Sequence, residues 1–293
     1  MADTQSQAYV TDFTNQLQIK AQQMKSKFRG NLLEMPVKGD YFDHINLAGV
    51  QMTKIESRFA PRELGDPTLQ RRGVLVESFE KVLPVADIDA LRSLVSVNSG
   101  YSDVLAAAAA REIDRAVALA ATGSVLTGKS FSTTVTAAND GVQTVTASSG
   151  LVYDKVLEVI SKFKAKDIDE EIFFAITDVQ WATLMSEVEV ISSDYNKKMA
   201  AETGIIPGIL GAKFIVFGSN PETGDSIIQK PSTRTCFAFA KSGLKLGLLS
   251  DIKVEYQPRY DIQGGTNQLV VSASFGAIRT EGAKVVQINV TEA

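Results

Sequence analysis

The sequence predicts an α+β fold, because three different patterns follow one another along its 293 residues. Up to about Pro84 the chain has little sustained periodicity but many charges, with two extended, alternating segments, and a helical stretch follows. Beyond residue 150, helices and strands alternate before the chain ends in a series of strands. Apolar residues make up 44% of the chain, which is ordinary for a globular protein with a sizeable core.

The N-terminal part predicts an extended arm. Apolar and polar residues roughly alternate in residues 45–59 and again in residues 72–85, and a turn-rich bridge at residues 60–67 joins them. This pattern is typical of a long two-stranded ribbon. Because an isolated two-stranded ribbon is only marginally stable in water, the arm needs a partner surface.

A long helix is predicted for residues 102–121. Its apolar residues recur at spacings of three and four, and the alanine run at residues 106–110 favours helix and permits close approach of another backbone. Gly123 follows at the position of a C-cap glycine. Residues 131–148 are then rich in Thr and Val around an Asn-Asp-Gly turn, which predicts a β-hairpin.

The pattern in the rest of the chain predicts a mixed α/β unit followed by a series of strands. We expect an amphipathic helix at residues 151–163 and a buried strand at residues 171–177. Thr177 and Gln180 have the spacing of a capping box, which predicts that a second helix begins there. Further strands are expected at residues 213–217, 236–241, 244–249, 252–257, 268–275 and 284–290.

The scarcity of Cys and His excludes several kinds of chemistry. Cys236 is the single cysteine, so no intrachain disulfide can form, and its apolar strand predicts a buried thiol. His44 is the single histidine, and we expect it in a loop. A zinc site of ordinary composition needs several such ligands, and Cys–His catalysis would need these two residues to meet. We therefore predict no metal, no cofactor and no catalytic residue.

Residues 123–130 match the phosphate-binding pattern G-x-x-x-x-G-K-[ST]. In a working loop of this kind, a strand precedes the glycines and a helix follows them. Here the predicted helix comes first and a β-branched segment follows Ser130. The order favours a helix C-cap and a connecting turn. The alternative is a nucleotide site in which Lys129 contacts phosphate.

Charge gives two further expectations. Four carboxylates cluster between a predicted helix and strand, and we interpret them as a solvated connection, with acid–base chemistry or cation binding as the alternative. They are Asp167, Asp169, Glu170 and Glu171. The net charge of −4 gives no basic footprint for wrapping nucleic acid.

Basic residues gather in the predicted arm. They are Lys54, Arg58, Arg62, Arg71 and Arg72. We interpret them as inter-subunit contacts that pair with carboxylates on a neighbouring copy, because the arm itself needs a partner. The alternative is a solvated ribbon surface, since exposed ion pairs contribute only about 0–1 kcal/mol each.

The order of these segments resembles the major capsid proteins of tailed bacteriophages, which have the Hong Kong-97 type fold. Four phrases in the expected order support the resemblance, which covers most of the chain from about Gly39 to Val290. They are FFAITDVQWATLM at residues 173–185, GILGAKFIVFGSNP at 208–221, FAFAKSGLKLG at 237–247 and FGAIRTEGAKVVQI at 275–288.

The resemblance implies a division of the chain into five parts. They are an N-terminal arm (1–38), an extended loop (39–85), a peripheral domain with a spine helix and hairpin (86–149), a mixed α/β axial domain (150–235) and the return strands of both domains (236–293). It also implies a structural subunit and no enzyme. Such a subunit self-assembles through pentamers and hexamers into an icosahedral head that encloses double-stranded DNA.

The partners that the resemblance implies are further copies of the chain, a portal protein and, in some heads, a decoration protein. Some family members carry a helical scaffolding segment at their N-terminus, and the arm here is too short for one, which implies a separate scaffolding protein. DNA would be enclosed without sequence-specific binding, and no membrane partner is expected. The location implied is the virion capsid, with assembly in the host cytoplasm.

Two alternative functions remain open from the sequence. A cellular nanocompartment shell has the same fold and encloses enzymes instead of a genome. A nucleotide-dependent enzyme would use residues 123–130. No Lys–Asn cross-link between subunits can be placed from the residues, so none is predicted.

Overall fold

The computed structural model describes residues 22–54, 57, 65–86, 97–148, 150–187, 211–221, 226–230, 232–259, 261 and 266–292. Residues 1–21 of the predicted arm and residues 60–64 of the predicted bridge lie outside these ranges. Arg58 and Arg62 lie outside them too.

Within the described ranges the chain forms three helices and thirteen strands, so the predicted α+β class is confirmed. The helices are α1 (Val97–Thr122), α2 (Tyr153–Lys164) and α3 (Asp178–Ser186), and a 3-10 turn spans Gly282–Lys284. The strands are β1 (Leu33–Pro36), β2 (Tyr41–Leu47), β3 (Leu69–Leu75), β4 (Glu77–Ala86), β5 (Val125–Thr127), β6 (Thr133–Val135), β7 (Gln143–Ala147), β8 (Ile172–Thr177), β9 (Lys213–Phe217), β10 (Arg234–Ala240), β11 (Leu244–Arg259), β12 (Thr266–Arg279) and β13 (Val285–Val290).

These strands form three sheets. The central sheet has the order β7-β13-β10-β8-β9, and the long sheet has the order β1-β11-β12-β4. The hairpin sheet has the order β2-β3-β5-β6. Because β4 directly follows β3, the chain passes from the hairpin sheet to the long sheet at Val76.

The main core lies on the central sheet, where β8 is buried at every position. Phenylalanine rings from several elements meet there, among them Phe28 from the segment before β1. Its ring centroid lies 5.0 Å from that of Phe217, 5.8 Å from Phe237 and 6.0 Å from Phe239. Since a buried Phe typically contributes about 3–5 kcal/mol relative to Ala, this contact fixes the N-terminal segment to the sheet.

Helix α1 confirms the predicted long helix and extends it to 26 residues, about 39 Å in length. Its buried stripe, which includes Leu105, Ile113 and Val117, packs on β12 and β11. The helix ends as predicted at Gly123, whose N–H donates to the Leu119 carbonyl oxygen at 2.7 Å. A Cβ at Gly123 would stand 2.5 Å from that oxygen, so the position requires glycine.

The extended arm differs from its prediction in its pairing. Strand β2 pairs antiparallel with β3, with Tyr41 opposite Leu75 and Leu47 opposite Leu69. Strand β4 leaves this ribbon and pairs with β12 in the long sheet. The alternation runs on through β3 and β4, and periodicity does not identify the partner of a strand.

The hairpin predicted for residues 131–148 is wrong. Strand β6 pairs with β5, whereas β7 pairs in parallel with β13 in the central sheet. The turn between them is present, with Gly141 at a φ of +83°. It joins two sheets because the Asp140 side chain is held in a buried ion pair with Arg72 and Arg279.

Most of the remaining elements lie within two residues of their predictions. The capping box is confirmed, since the Thr177 N–H donates to Gln180 Oε1 at 3.3 Å. The two strands predicted at residues 244–249 and 252–257 are one continuous strand, β11, with register shifts on either side of Ser250. His44, which we expected in a loop, lies in β2.

A buried carboxylate ties the end of the chain to the central sheet. Glu292 accepts hydrogen bonds from Arg234 Nε at 2.9 Å, Lys230 Nζ at 2.7 Å and Gln180 Nε2 at 3.0 Å. Burial alone would raise the pKa of Glu292, but the hydrogen bonds from Arg234, Gln180 and Lys230 lower it from 4.5 to about 2.

We predict that Glu292 makes the fold sensitive to acid. Its ionised form stabilises the fold above pH 4.5, and that stabilisation, about 3 kcal/mol, is lost as the pH falls from 4.5 towards 2. Glu292→Gln should lower the free energy of unfolding at pH 7 and show less acid sensitivity in this range. Urea unfolding of the protein between pH 2 and 7 measures both, and parallel pH curves for the two proteins would contradict the assignment.

Candidate interaction surface

The hairpin of β2 and β3 presents one face to the body of the protein and one to solvent. On the inner face Phe42 is 6% exposed and packs with Val37, Val125 and Ile278. On the same face, Asn46 Nδ2 donates to the carbonyl oxygen of Thr280. These contacts fix the hairpin against the long sheet.

The outer face of the hairpin is apolar and exposed. Tyr41, Ile45, Leu47, Leu69 and Leu75 define it, and between 45% and 68% of each is exposed. Because Tyr41 stands opposite Leu75 and Leu47 opposite Leu69, these side chains are neighbours across the two strands. We call this surface the hairpin face. The exposed Asp43–Arg71 ion pair lies between these two apolar pairs. Groups of exposed large apolar side chains mark sites of protein association.

The base of the hairpin face is held by Phe131. Its ring stacks on Tyr41 with centroids 5.0 Å apart, and the Arg71 guanidinium lies 4.7 Å from its centroid. The ring also fills the space that a side chain at Gly73 would need. Phe131 has a φ of +55°, a left-handed conformation that costs a non-glycine residue about 1 kcal/mol or more. Its ring contacts hold it there.

A buried triad of Arg72, Asp140 and Arg279 sets the position of the hairpin. Arg72 Nη2 lies 2.6 Å from Asp140 Oδ1, and Arg279 Nε lies 2.8 Å from Asp140 Oδ2. Each of the three side chains is at most 4% exposed. Burial lowers the pKa of Arg279, and Asp140 partly offsets this effect.

Arg279 also connects the triad to the C-terminal end of α1. Its Nη1 donates to the carbonyl oxygens of Ala120, Ala121 and Gly123, at 3.0 Å in each case. A cation at this position also interacts favourably with the helix dipole. The hairpin, the turn at Asp140 and the long helix are therefore connected through side chains.

Of the five basic residues that we predicted as inter-subunit contacts, the structure describes Lys54, Arg71 and Arg72. Arg58 and Arg62 lie outside the described residues, and Lys54 is exposed beyond β2. Arg71 is on the hairpin face, where its Nε lies 2.8 Å from Asp43 Oδ2. Arg72 points to the opposite face and is engaged within its own subunit, in the buried triad.

The sequence prediction missed the hairpin face, although its signal was present. Tyr41, Ile45 and Leu47 share one face of β2, and apolar residues stand opposite two of them in β3, Leu75 opposite Tyr41 and Leu69 opposite Leu47. Ile45 and Leu47 contributed to predicting the strand, but their side chains are exposed. The buried face of β2 is formed by the residues at even positions, among them Phe42. Assigning the two faces separately would have found a set of apolar residues on the face opposite Phe42, which is exposed in the part of the chain that the structure describes.

The remaining singled-out residues have structural roles. Cys236 is buried as predicted, and burial raises the pKa of its thiol to about 12. The ring of His44 lies with Nδ1 3.3 Å from Lys245 Nζ, and burial followed by that charge lowers the pKa of His44.

Residues 123–130 form a helix end, the strand β5 and a turn, which confirms the interpretation as a C-cap and connecting turn. Gly128 has a φ of +94° in this turn. The Lys129 side chain is exposed, while its carbonyl oxygen accepts a hydrogen bond from Arg71 Nη1 at 3.1 Å. The order of elements is the reverse of a phosphate-binding loop.

The acidic cluster is divided among separate partners. Glu170 accepts hydrogen bonds from the Ser242 N–H at 2.8 Å and its hydroxyl at 2.7 Å. Glu171 pairs with Lys213 at 2.9 Å, and Asp169 pairs with Lys164. In the part of the chain that the structure describes, no three Asp, Glu, His or Cys side chains are grouped as metal ligands would be. None of its helices combines the length and apolar character needed to cross a membrane.

Comparisons with known proteins agree on one family. A family model described as phage capsid protein matches residues 6–292. A comparison with curated proteins found no match. Among solved structures, the chain is similar to the capsid of cyanophage P-SCSP1u, with a TM-score of 0.69 and 13% identity, covering 98% of this chain and 94% of the other.

Two further capsid structures are similar over nearly their whole length. The mature capsid of bacteriophage PhiM1 has a TM-score of 0.70 at 11% identity, covering 97% of this chain and 92% of the other. The capsid of Ralstonia phage GP4 has a TM-score of 0.66 at 10% identity, covering 97% and 96%. At these identities the likeness shows the fold.

We predict that the buried and the exposed Asp–Arg pairs differ in their contribution to stability. Asp140→Asn should lower the free energy of unfolding by about 3–5 kcal/mol, because it leaves two buried arginines without a carboxylate. The matched control Asp43→Asn removes only the exposed pair with Arg71 and should cost about 0–1 kcal/mol. Urea unfolding of both variants tests this, and similar losses in the two would contradict it.

Proposed function

Because this chain belongs to the phage capsid protein family and is a structural subunit of a phage head, we propose that it assembles through pentamers and hexamers into an icosahedral shell around double-stranded DNA. Its fold is the Hong Kong-97 type capsid fold. Closed symmetry limits growth in such assemblies, since each subunit uses the same few surfaces again.

The hairpin face is the observation that carries the proposal. A ribbon with five exposed apolar side chains is costly to leave in water, and burying one large apolar side chain contributes about 1.5–3 kcal/mol. The triad and the inner-face contacts hold the ribbon in one position before any partner arrives. A pre-positioned apolar surface that stays exposed among the described residues suits repeated docking onto further copies of the chain.

The basic residues of the arm divide into two groups in this proposal. Lys54, Arg58 and Arg62 are proposed to pair with carboxylates of a neighbouring subunit. Arg71 lies on the hairpin face, so it reaches a neighbour together with its own partner Asp43. Arg72 acts within the subunit and keeps the hairpin in place.

We also propose the five-part division of the chain, with one refinement. The parts are residues 1–38, 39–85, 86–149, 150–235 and 236–293. The pairing of β4 with β12 supports ending the extended loop near Val76, because β4 is an integral strand of the long sheet. The proposed partners are a separate scaffolding protein, a portal protein and a decoration protein in some heads, with assembly in the host cytoplasm before the subunit becomes part of the virion.

We predict that charges on the hairpin face prevent assembly without unfolding the subunit. Leu47 and Leu69 are opposite each other and 66% and 68% exposed, so Leu47→Glu with Leu69→Glu should lower the free energy of unfolding by only about 1–2 kcal/mol, including the repulsion between the two new carboxylates. Burying two carboxylates in an interface is strongly unfavourable, so shells should be lost. Sedimentation and negative-stain microscopy of the variant, expressed with its neighbouring genes, measure this.

The matched control is Leu47→Ile with Leu69→Ile, which keeps the apolar surface and should assemble as the unaltered protein does. Closed shells in normal yield from the double Glu variant would overturn the assignment of the hairpin face.

We predict that Lys129→Ala leaves assembly unchanged. The side chain is exposed, and only the backbone carbonyl of this residue contacts Arg71. The yield of shells in sedimentation should match that of the unaltered protein. Loss of shells together with loss of ATP binding in equilibrium dialysis would instead indicate a phosphate site at residues 123–130.

A further inference from the structure

A second surface lies apart from the hairpin face. It is a groove of about 1,080 Å³ between the segment before β1, helix α1 and strands β4 and β12. This exceeds the roughly 300–1,000 Å³ of ordinary small-molecule pockets. Its apolar lining includes Phe79, Ala108, Phe217 and Val271. A groove of this size and lining is suited to a peptide segment.

The groove carries an excess of positive charge. Five basic residues line it: Lys25, Lys27, Lys81, Arg111 and Arg115. Glu80 and Glu112 are its acidic lining residues. Among the described lining residues, five positive against two negative charges give a net charge of +3, in a chain whose total is −4. The groove is therefore a local reversal of the overall charge.

Two of the basic side chains, Arg111 and Lys27, donate hydrogen bonds to neutral groups. Arg111 Nη1 donates to Gln22 Oε1 at 3.0 Å and to the Gln23 carbonyl oxygen at 3.2 Å. Lys27 Nζ donates to the Val216 carbonyl oxygen at 2.6 Å and lies 5.1 Å from the centroid of the Phe217 ring. Burial lowers the pKa of Lys27, and Asp114 opposes this effect.

Arg115 leaves a donor unused at the same surface. Its Nε is buried without a hydrogen-bond partner, and the nearest Glu112 carboxylate oxygen is 3.8 Å away. Lys25 and Lys81 are exposed on either side of the groove. These cationic side chains can bind the carboxylates of a partner without first breaking a strong ion pair within the chain.

We propose that this groove binds an acidic amphipathic helix of a second protein. Its apolar side chains would contact the lining at Phe79 and Val271, and its flanking carboxylates would meet the five basic residues. Such charge complementarity favours the correct partner and speeds its association. In a phage head subunit this partner corresponds to the proposed scaffolding protein, an identification that rests on the proposed function.

The chain's own N-terminal residues do not supply this chemistry. Residues 1–21 contain two acidic residues, Asp3 and Asp12, against Lys20. DNA does not match the lining either, since duplex backbones are contacted mainly by charged and polar groups and not by a surface like that of Phe79 and Val271. The combination of apolar lining and cationic rim therefore favours an acidic peptide.

The first arm of the test measures peptide binding to the unassembled full-length subunit by fluorescence anisotropy. The probe is a capped, labelled peptide of about 18 residues, or five helical turns, with Leu at positions i, i+3, i+4 and i+7 and Glu on its other face. A matched peptide carries Lys in place of each Glu. We expect the acidic peptide to bind at least about tenfold more tightly than the basic one.

The second arm uses charge reversal in the groove. Lys25→Glu with Lys81→Glu should weaken binding of the acidic peptide about tenfold or more, because both side chains are exposed and each reversal adds repulsion. Lys38→Glu, an exposed lysine outside the groove, is the control and should bind as the unaltered protein does. Thermal unfolding confirms that each variant is folded.

Three results would overturn the proposal. One is unchanged peptide affinity in the groove variant. Another is binding of a DNA duplex of about 20 base pairs that the groove variant loses, while the acidic peptide does not bind. The third is peptide binding only after residues 1–21 are removed, which would assign the groove to the chain's own N-terminus. The hairpin-face variant with Glu at 47 and 69 should retain peptide binding, so failure of assembly and failure of the groove are distinguishable.

Discussion

Asp140 is the point on which the arrangement of the three sheets depends. It lies in the turn that joins the hairpin sheet to the central sheet, and it holds Arg72 of the hairpin sheet and Arg279 of the long sheet. Two arginines share one carboxylate, and Arg72 Nε and Arg279 Nη2 have no hydrogen-bond partner. Such a buried cluster is an inefficient source of stability compared with apolar packing, so its value lies in fixing orientation. The end of α1 is included in the same cluster, because Arg279 also binds three of its terminal carbonyl oxygens.

This orientation explains how one small ribbon can serve an assembly. The inner face of the hairpin is covered by its own subunit, and the large apolar side chains of the outer face are exposed among the described residues. A ribbon that moved freely would lose conformational entropy each time it docked, whereas a fixed ribbon has lost it already on folding. The groove beside α1 is built differently, from basic residues of which Arg111 and Lys27 donate to neutral groups, which suits a reversible contact with a charged partner. One subunit thus carries surfaces of two chemical kinds.

Local signals in the sequence predicted much of the fold, and non-local pairings account for the errors. The stripe of α1, its terminal Gly123 and the capping box at Thr177 are properties of a few consecutive residues. The partners of β4 and β7 are β12 and β13, which lie more than a hundred positions further along the chain. Arg71 and Arg72 show the limit for sites. They are adjacent in sequence and were given one role, but strand alternation sends one outwards and the other into the core.

Phe131 and Gly73 form a unit that natural variation should preserve as a pair. The ring of Phe131 occupies the volume of any side chain at position 73, and its backbone is held in a left-handed conformation by its stacking on Tyr41 and by Arg71. A larger residue at 73 is compatible with the fold only if the ring at 131 is absent. Once that ring is lost, a glycine or asparagine at 131 relieves the left-handed backbone. Related subunits should therefore show these two positions changing together, although 58 positions separate them along the chain.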